Sequence, residues 1–251
     1  MKPLLLLLLS MLPFISDPDF FTNQLKHPRV KEAYDSKGKI VEELLKLNNI
    51  HSSKFDLFLR ALKKEKKLEV WAKNKNEATF KLIKTYDFCE TSGVLGPKRR
   101  SGDRQIPEGF YYITTFNPYS DYHLSFKINY PNAADLVHSD KLNPGGDIFI
   151  HGDCVTIGCI PLGADNINIK ELYILAAKAK SAGGTTHVYI FPCYMNEENY
   201  KDLQTKYADN KNLLDFWANL KPVYNAFEKS KTIPGITVDR RGFYQLLKPE
   251  K

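Results

Sequence analysis

The alternation of apolar and polar residues changes period several times along the chain, and each change marks an element. In EAYDSKGKIVEELLKLNN, Ile40, Leu44 and Leu47 recur at helical spacing until Asn48 and Asn49, so residues 17–50 read as a helical extension. The next stretch is ambiguous: Phe55, Leu59 and Leu62 fit a helix, while Phe55, Leu57 and Leu59 also alternate as a strand. LEVWA and TFKLI alternate with period two and NKNE between them has turn composition, so a β-meander is the simplest account. From Gly93 to Gly146, segments dense in Gly, Pro and Asn surround FYYITTF and HLSFKINY, which predicts short strands and irregular loops, PNAADL among them, and no helices.

DIFIHG places Ile148 and Ile150 on one face of a strand that ends at His151, and GDCVTIGCIPLG then turns sharply. Asn168 with Glu171 reads as a capping box for a helix that buries Ile169, Leu172, Tyr173 and Ala176 and stops at Gly183 and Gly184. HVYIFP reads as a buried strand, residues 196–230 as two helices, and VDRRGFYQL as a final strand or tail.

Composition narrows the class. With 43% hydrophobic and 26% charged residues, the 251-residue chain can bury a full core and is neither disordered nor collagen-like. Its net charge of +7 favours anionic partners, but without a long basic block nothing points to nucleic acid. MKPLLLLLLSMLPFIS sets one Lys before an apolar run shorter than the ~20 residues a membrane span needs, the pattern of an exported protein's leader. Phe14 stands where a cleavage site prefers a small residue, so residues 1–16 read as a signal peptide or an uncleaved anchor. Export implies an oxidising compartment, in which Cys89 and Cys193 become eligible to pair.

IHGDCVTIGCIPLG gathers His151, Cys154 and Cys159 at a strand end, and three readings are open. A loop that leaves His151 and returns with Cys159 can bring a thiol to a base, while Gly152 and Gly158 ease the reversal and let a carbonyl approach backbone N–H donors. As a zinc site the three residues have the wrong spacing for the common pairings and lack a fourth ligand. As purely structural residues, Cys154 and Cys159 form a local disulfide or are buried, and His151 caps the strand.

IHG followed by TIGC resembles the active-site motif of the YkuD-type L,D-transpeptidases. FLRALKKEKKLEVWAK, KTYDFCETSGVLGPK, GDRQIPEGFYYI, NPYSDYHLSF and HGDCVTIGC together resemble the YafK-like branch of that family, over about residues 55–227. The resemblance implies an α+β fold: a mainly β catalytic domain over residues 55–251 with packed helices, preceded by a short helical extension over residues 17–54. It implies Cys159 as nucleophile, His151 as general base, Gly158 before the sulfur in an oxyanion-binding turn, Gly152 orienting the imidazole, and Thr156 at the small-hydroxyl position. His123, Arg100 and Tyr122 are further substrate-site candidates, the arginine within a cationic loop that also holds Lys98, Arg99 and Arg104. Two departures stand out: Ile157 replaces the His of the most familiar motif, and Ile160-Pro161-Leu162 replaces its nearby Arg. The implied chemistry is acyl transfer in the periplasm on peptidoglycan stem peptides, with no metal or cofactor. An outer-membrane lipoprotein is a further implied partner. Hydrolysis of murein links and non-catalytic murein binding are the alternatives.

Overall fold

The expected meander is present as β1 (Phe55–Leu62), β2 (Lys67–Asn74) and β3 (Lys81–Asp87), paired antiparallel in chain order. The computed structural model describes residues 19–247, and the leader expected over residues 1–16 lies outside them. Along β1, Leu57, Leu59 and Ala61 enter one core while Phe58 and Leu62 enter another. Its second edge pairs in parallel with β8 (His187–Phe191), the buried strand expected from HVYIFP. A central strand covered on both faces is apolar at nearly every position, and that is why FDLFLRAL fits a helix and a strand equally well.

Beyond β8 the sheet continues through β4 (Gly109–Asn117), β5 (Ser125–Ile128), β6 (Phe149–His151) and β7 (Ile160–Pro161), giving the order β3-β2-β1-β8-β4-β5-β6-β7. The β1–β8 and β6–β7 pairs are parallel and the others antiparallel. One face is covered by α1 (Phe20–Gln24), α2 (Pro28–Leu47) and α4 (Ile167–Ser181). The other carries α5 (Glu197–Lys206), α6 (Lys211–Ser230) and a hairpin of β9 (Ile236–Val238) and β10 (Tyr244–Leu246).

The structure corrects four expectations. The buried face of α2 is Val30, Ala33, Val41 and Leu45, with Leu44 of the expected face partly buried against the same core, whereas Ile40 and Leu47 are exposed. That face lies one residue round from the expected one, where the small Ala33 allows close approach to α4. PNAADL is not loop but holds a helix, α3 (Ala133–His138), because Asn132 and Asp135 form a reciprocal capping box. The Asn168–Glu171 box does not form: α4 starts at Ile167, the Asn168 amide donates to the Leu162 carbonyl at 2.9 Å, and Glu171 is buried against Tyr86 and Lys84. Finally, Cys89 is bonded to Cys154, not to Cys193, which is a free thiol in the core beneath α5 and α6.

Candidate active site

The β6–β7 pair builds the site. His151 ends β6 opposite Ser125 of β5 and beside Pro161 of β7, so residues 152–159 must leave the sheet and return parallel to it within one short loop. Parallel strands ordinarily need a longer crossover. Here the strands are short and the loop is pinned at several points. The Gly152 N–H lies 3.1 Å from the Tyr122 carbonyl, and a Cβ at this position would stand 2.1 Å from Asn166 Oδ1. Asp153 N donates to the same Asn166 oxygen at 2.8 Å. Cys154 is tied to Cys89, just beyond β3, and Cys89 N donates to the Pro161 carbonyl at 3.2 Å. At the return, Gly158 adopts φ +137°, and a Cβ there would meet the Gln105 carbonyl at 2.9 Å, so only glycine fits.

Within this frame His151 is buried, with Nδ1 hydrogen-bonded to the Gly152 carbonyl. That bond places the proton on Nδ1 and leaves Nε2 as the acceptor. The Tyr122 ring covers the imidazole at 4.6 Å with a 31° tilt, so this expected site residue does belong to the cluster. Burial lowers the His151 pKa, with the Gly152 bond and Asp153 opposing.

Cys159 is half-buried. Its sulfur accepts the Phe149 N–H at 3.4 Å and donates towards the Asp147 carbonyl at 3.7 Å. Burial pushes the thiol up from its ordinary range, offset by the Phe149 N–H and the Lys98 ammonium and reinforced by Asp147. Among the described residues no hydrogen bond joins Cys159 to His151. At rest the site therefore holds a protonated thiol and a neutral imidazole on adjoining strand ends.

Thr156 has a role that its position in the sequence did not reveal. Its Oγ1 accepts the Gly158 and Cys159 N–H groups at 3.1 and 2.9 Å and donates to the Cys159 carbonyl at 2.8 Å. The hydroxyl thus closes the turn, and the two amides expected to face an oxyanion are engaged with it. His123 Nε2 is buried without a hydrogen-bond partner among the described residues, 3.9 Å from Glu32 of α2, and its carbonyl accepts from Arg29 at 3.0 Å. In the cationic loop Lys98 is buried on Asp103 at 2.6 Å and Arg99 contacts Asp135, while Arg100 and Arg104 are exposed. The Cys89–Cys154 bond removes Cys154 from the thiolates available to zinc and rules out a local bond between Cys154 and Cys159. Spacing alone carried no sign of that pairing, nor of Gln105 as the wall behind Gly158.

Residues 58–190 match the family described as the YkuD L,D-transpeptidase catalytic domain. The chain is 35% identical over 196 residues to YafK of Escherichia coli (strain K12), itself provisionally assigned as an L,D-transpeptidase, across 77% of this chain and 74% of that protein. Among solved structures, the helical cell shape determining protein Pgp2 of Campylobacter jejuni matches at TM-score 0.43 and 19% identity, over 74% of this chain and 73% of that one. L,D-transpeptidase 1 of Mycobacterium tuberculosis matches at TM-score 0.30 and 13% identity, over 55% and 62%.

Proposed function

The chain belongs to the YkuD family of L,D-transpeptidase catalytic domains, and from that membership we propose that it is a cysteine-dependent acyltransferase acting on peptidoglycan stem peptides. One observation carries the cysteine assignment. Of the four cysteines, Cys89 and Cys154 are bonded and Cys193 is fully buried, which leaves Cys159 as the accessible thiol, on the strand end adjoining His151.

With both groups neutral at rest, His151 acts as a general base rather than as half of a preformed ion pair. The thiol leaves the Asp147 carbonyl, gives its proton to Nε2, and the sulfur bonds to the carbonyl carbon of a stem-peptide amide. For the Gly158 and Cys159 amides to hold the resulting oxyanion, the substrate oxygen must displace the Thr156 hydroxyl. Charge favours that exchange, since an oxyanion accepts more strongly than a neutral hydroxyl. His151 then returns its proton to the leaving amine as the C–N bond breaks, and a thioester remains. An acceptor amine, of the diaminopimelate type or from a lipoprotein, completes transpeptidation, whereas water completes hydrolysis.

The leader pattern supports action in the cell envelope, outside the inner membrane. A carbapenem tests the nucleophile: its β-lactam carbonyl should acylate the wild-type protein once and leave Cys159→Ala unmodified by intact-mass measurement. Absence of an adduct on the wild type, or its persistence in Cys159→Ala, would contradict the assignment.

A further inference from the structure

Four stretches distant in sequence converge on a cleft of about 640 Å³: the loop from Leu95 to Gln105, the end of α3, the first turns of α6 and the tip of the β9–β10 hairpin. The cleft adjoins the nucleophilic turn. Gln105 lines it and also supplies the carbonyl against which Gly158 is packed.

Its dominant polar feature is Arg99, whose guanidinium lies over the Phe216 ring at 5.2 Å. A guanidinium has five N–H donors. Among the described residues the Arg99 side chain makes a single hydrogen bond, to Asp135 at 3.4 Å, near the limit of such a bond. Asp135 meets the guanidinium through one oxygen only, since its other oxygen already accepts from Tyr111 and Asn132. The one carboxylate among the lining residues, Asp215, is paired with Lys211 at 2.7 Å. The cleft therefore presents an incompletely satisfied planar cation with apolar surface from Phe243 and Leu213 around it. That combination suits a carboxylate on an aliphatic peptide, because the guanidinium fork matches a carboxylate with two parallel bonds.

We propose that this cleft is a subsite for a carboxylate-bearing peptide, with Arg99 holding the carboxylate while Phe216 and Phe243 pack the stem. Identifying that peptide as the murein arm beyond the scissile amide rests on the acyl-transfer reading above.

The test is calorimetric titration of Cys159→Ala, which binds without turnover. The ligand is a tetrapeptide of alanine, γ-linked glutamate, diaminopimelate and alanine, compared with the same peptide carrying amidated carboxylates. The acid form should bind about tenfold more tightly, the effect of one charge-assisted contact. Adding Arg99→Ala should remove that preference, so that acid and amide bind alike, and Arg99→Lys should restore part of it. Asn212→Asp, an exposed change in the first turn of α6 where an acid suits the helix, should weaken the acid form and spare the amide. It also covers the case in which Arg99→Ala disturbs the loop. Equal affinity for acid and amide in Cys159→Ala, or an undiminished preference in folded Arg99→Ala and Asn212→Asp, would overturn the proposal. Because the titrated protein lacks the nucleophile, these outcomes are independent of whether carbapenem labels the wild type.

Discussion

Burial acts on the proposed base and nucleophile in opposite directions, moving the His151 imidazole down and the Cys159 thiol up from their ordinary values. Both shifts favour the neutral pair as the resting form near neutral pH, which sets the expected pH behaviour. The base works only when unprotonated, so kcat/KM should hold through neutral pH and fall only below about 6.5, as His151 gains its proton. His151→Ala should fold normally and lose most of its activity near pH 7, a loss of roughly 10²–10⁴-fold for removal of a general base. Part should return as pH rises towards the thiol pKa and thiolate forms unaided. Cys159→Ala should recover nothing. Thioester formation measured against pH for the three proteins checks this, and a His151→Ala profile matching wild type would place the base elsewhere. The placement of His151 and Cys159 on adjoining strand ends was legible from the strand that ends at His151 and the glycines that turn the loop after it. The hold of Thr156 on two amides was not, because it depends on how the turn closes.

At the scale of elements, two staples set the His151–Cys159 loop and its neighbour. The Cys89–Cys154 bond spans 65 residues of sequence and ties the end of β3 to the middle of the His151–Cys159 loop. By chain entropy it contributes about 4 kcal/mol. Cys89→Ser with Cys154→Ser should lower Tm and slow carbapenem acylation while Cys159 still reacts with iodoacetamide. An acylation rate equal to wild type would show that the loop holds its geometry without the bond. The second staple is Lys63, buried at the end of β1, which donates to the Val94, Gly96 and Ile106 carbonyls and pairs with buried Glu108 at 2.9 Å. Lys63→Met should destabilise the protein by about 3–5 kcal/mol, since it strands the Glu108 charge. Denaturant unfolding checks it, and a change under 1 kcal/mol would mean that Glu108 finds other compensation. The meander, β8 and the two helices after it were legible from local periodicity. Neither staple was, because each joins segments that only the tertiary fold brings together.

Across the whole molecule, α2 shares one core with α4 and the sheet, so the helical extension is packed as part of the protein body. What the sequence could not show is the insertion of β8 between β1 and β4, a non-local pairing, or the choice of α2 face, which is set where that helix packs on α4. The proposed envelope location predicts recovery outside the inner membrane on cell fractionation, and a cytosolic protein with an intact N-terminus would contradict it. The most direct test of the account is incubation of the protein with purified muropeptides, followed by mass analysis of both protein and products. Wild type should pass through a thioester adduct on Cys159 while peptide links are made or broken, and Cys159→Ala should do neither. Muropeptides that bind wild type yet emerge unchanged, with no adduct on the protein, would contradict acyl transfer and leave a murein-binding scaffold in its place.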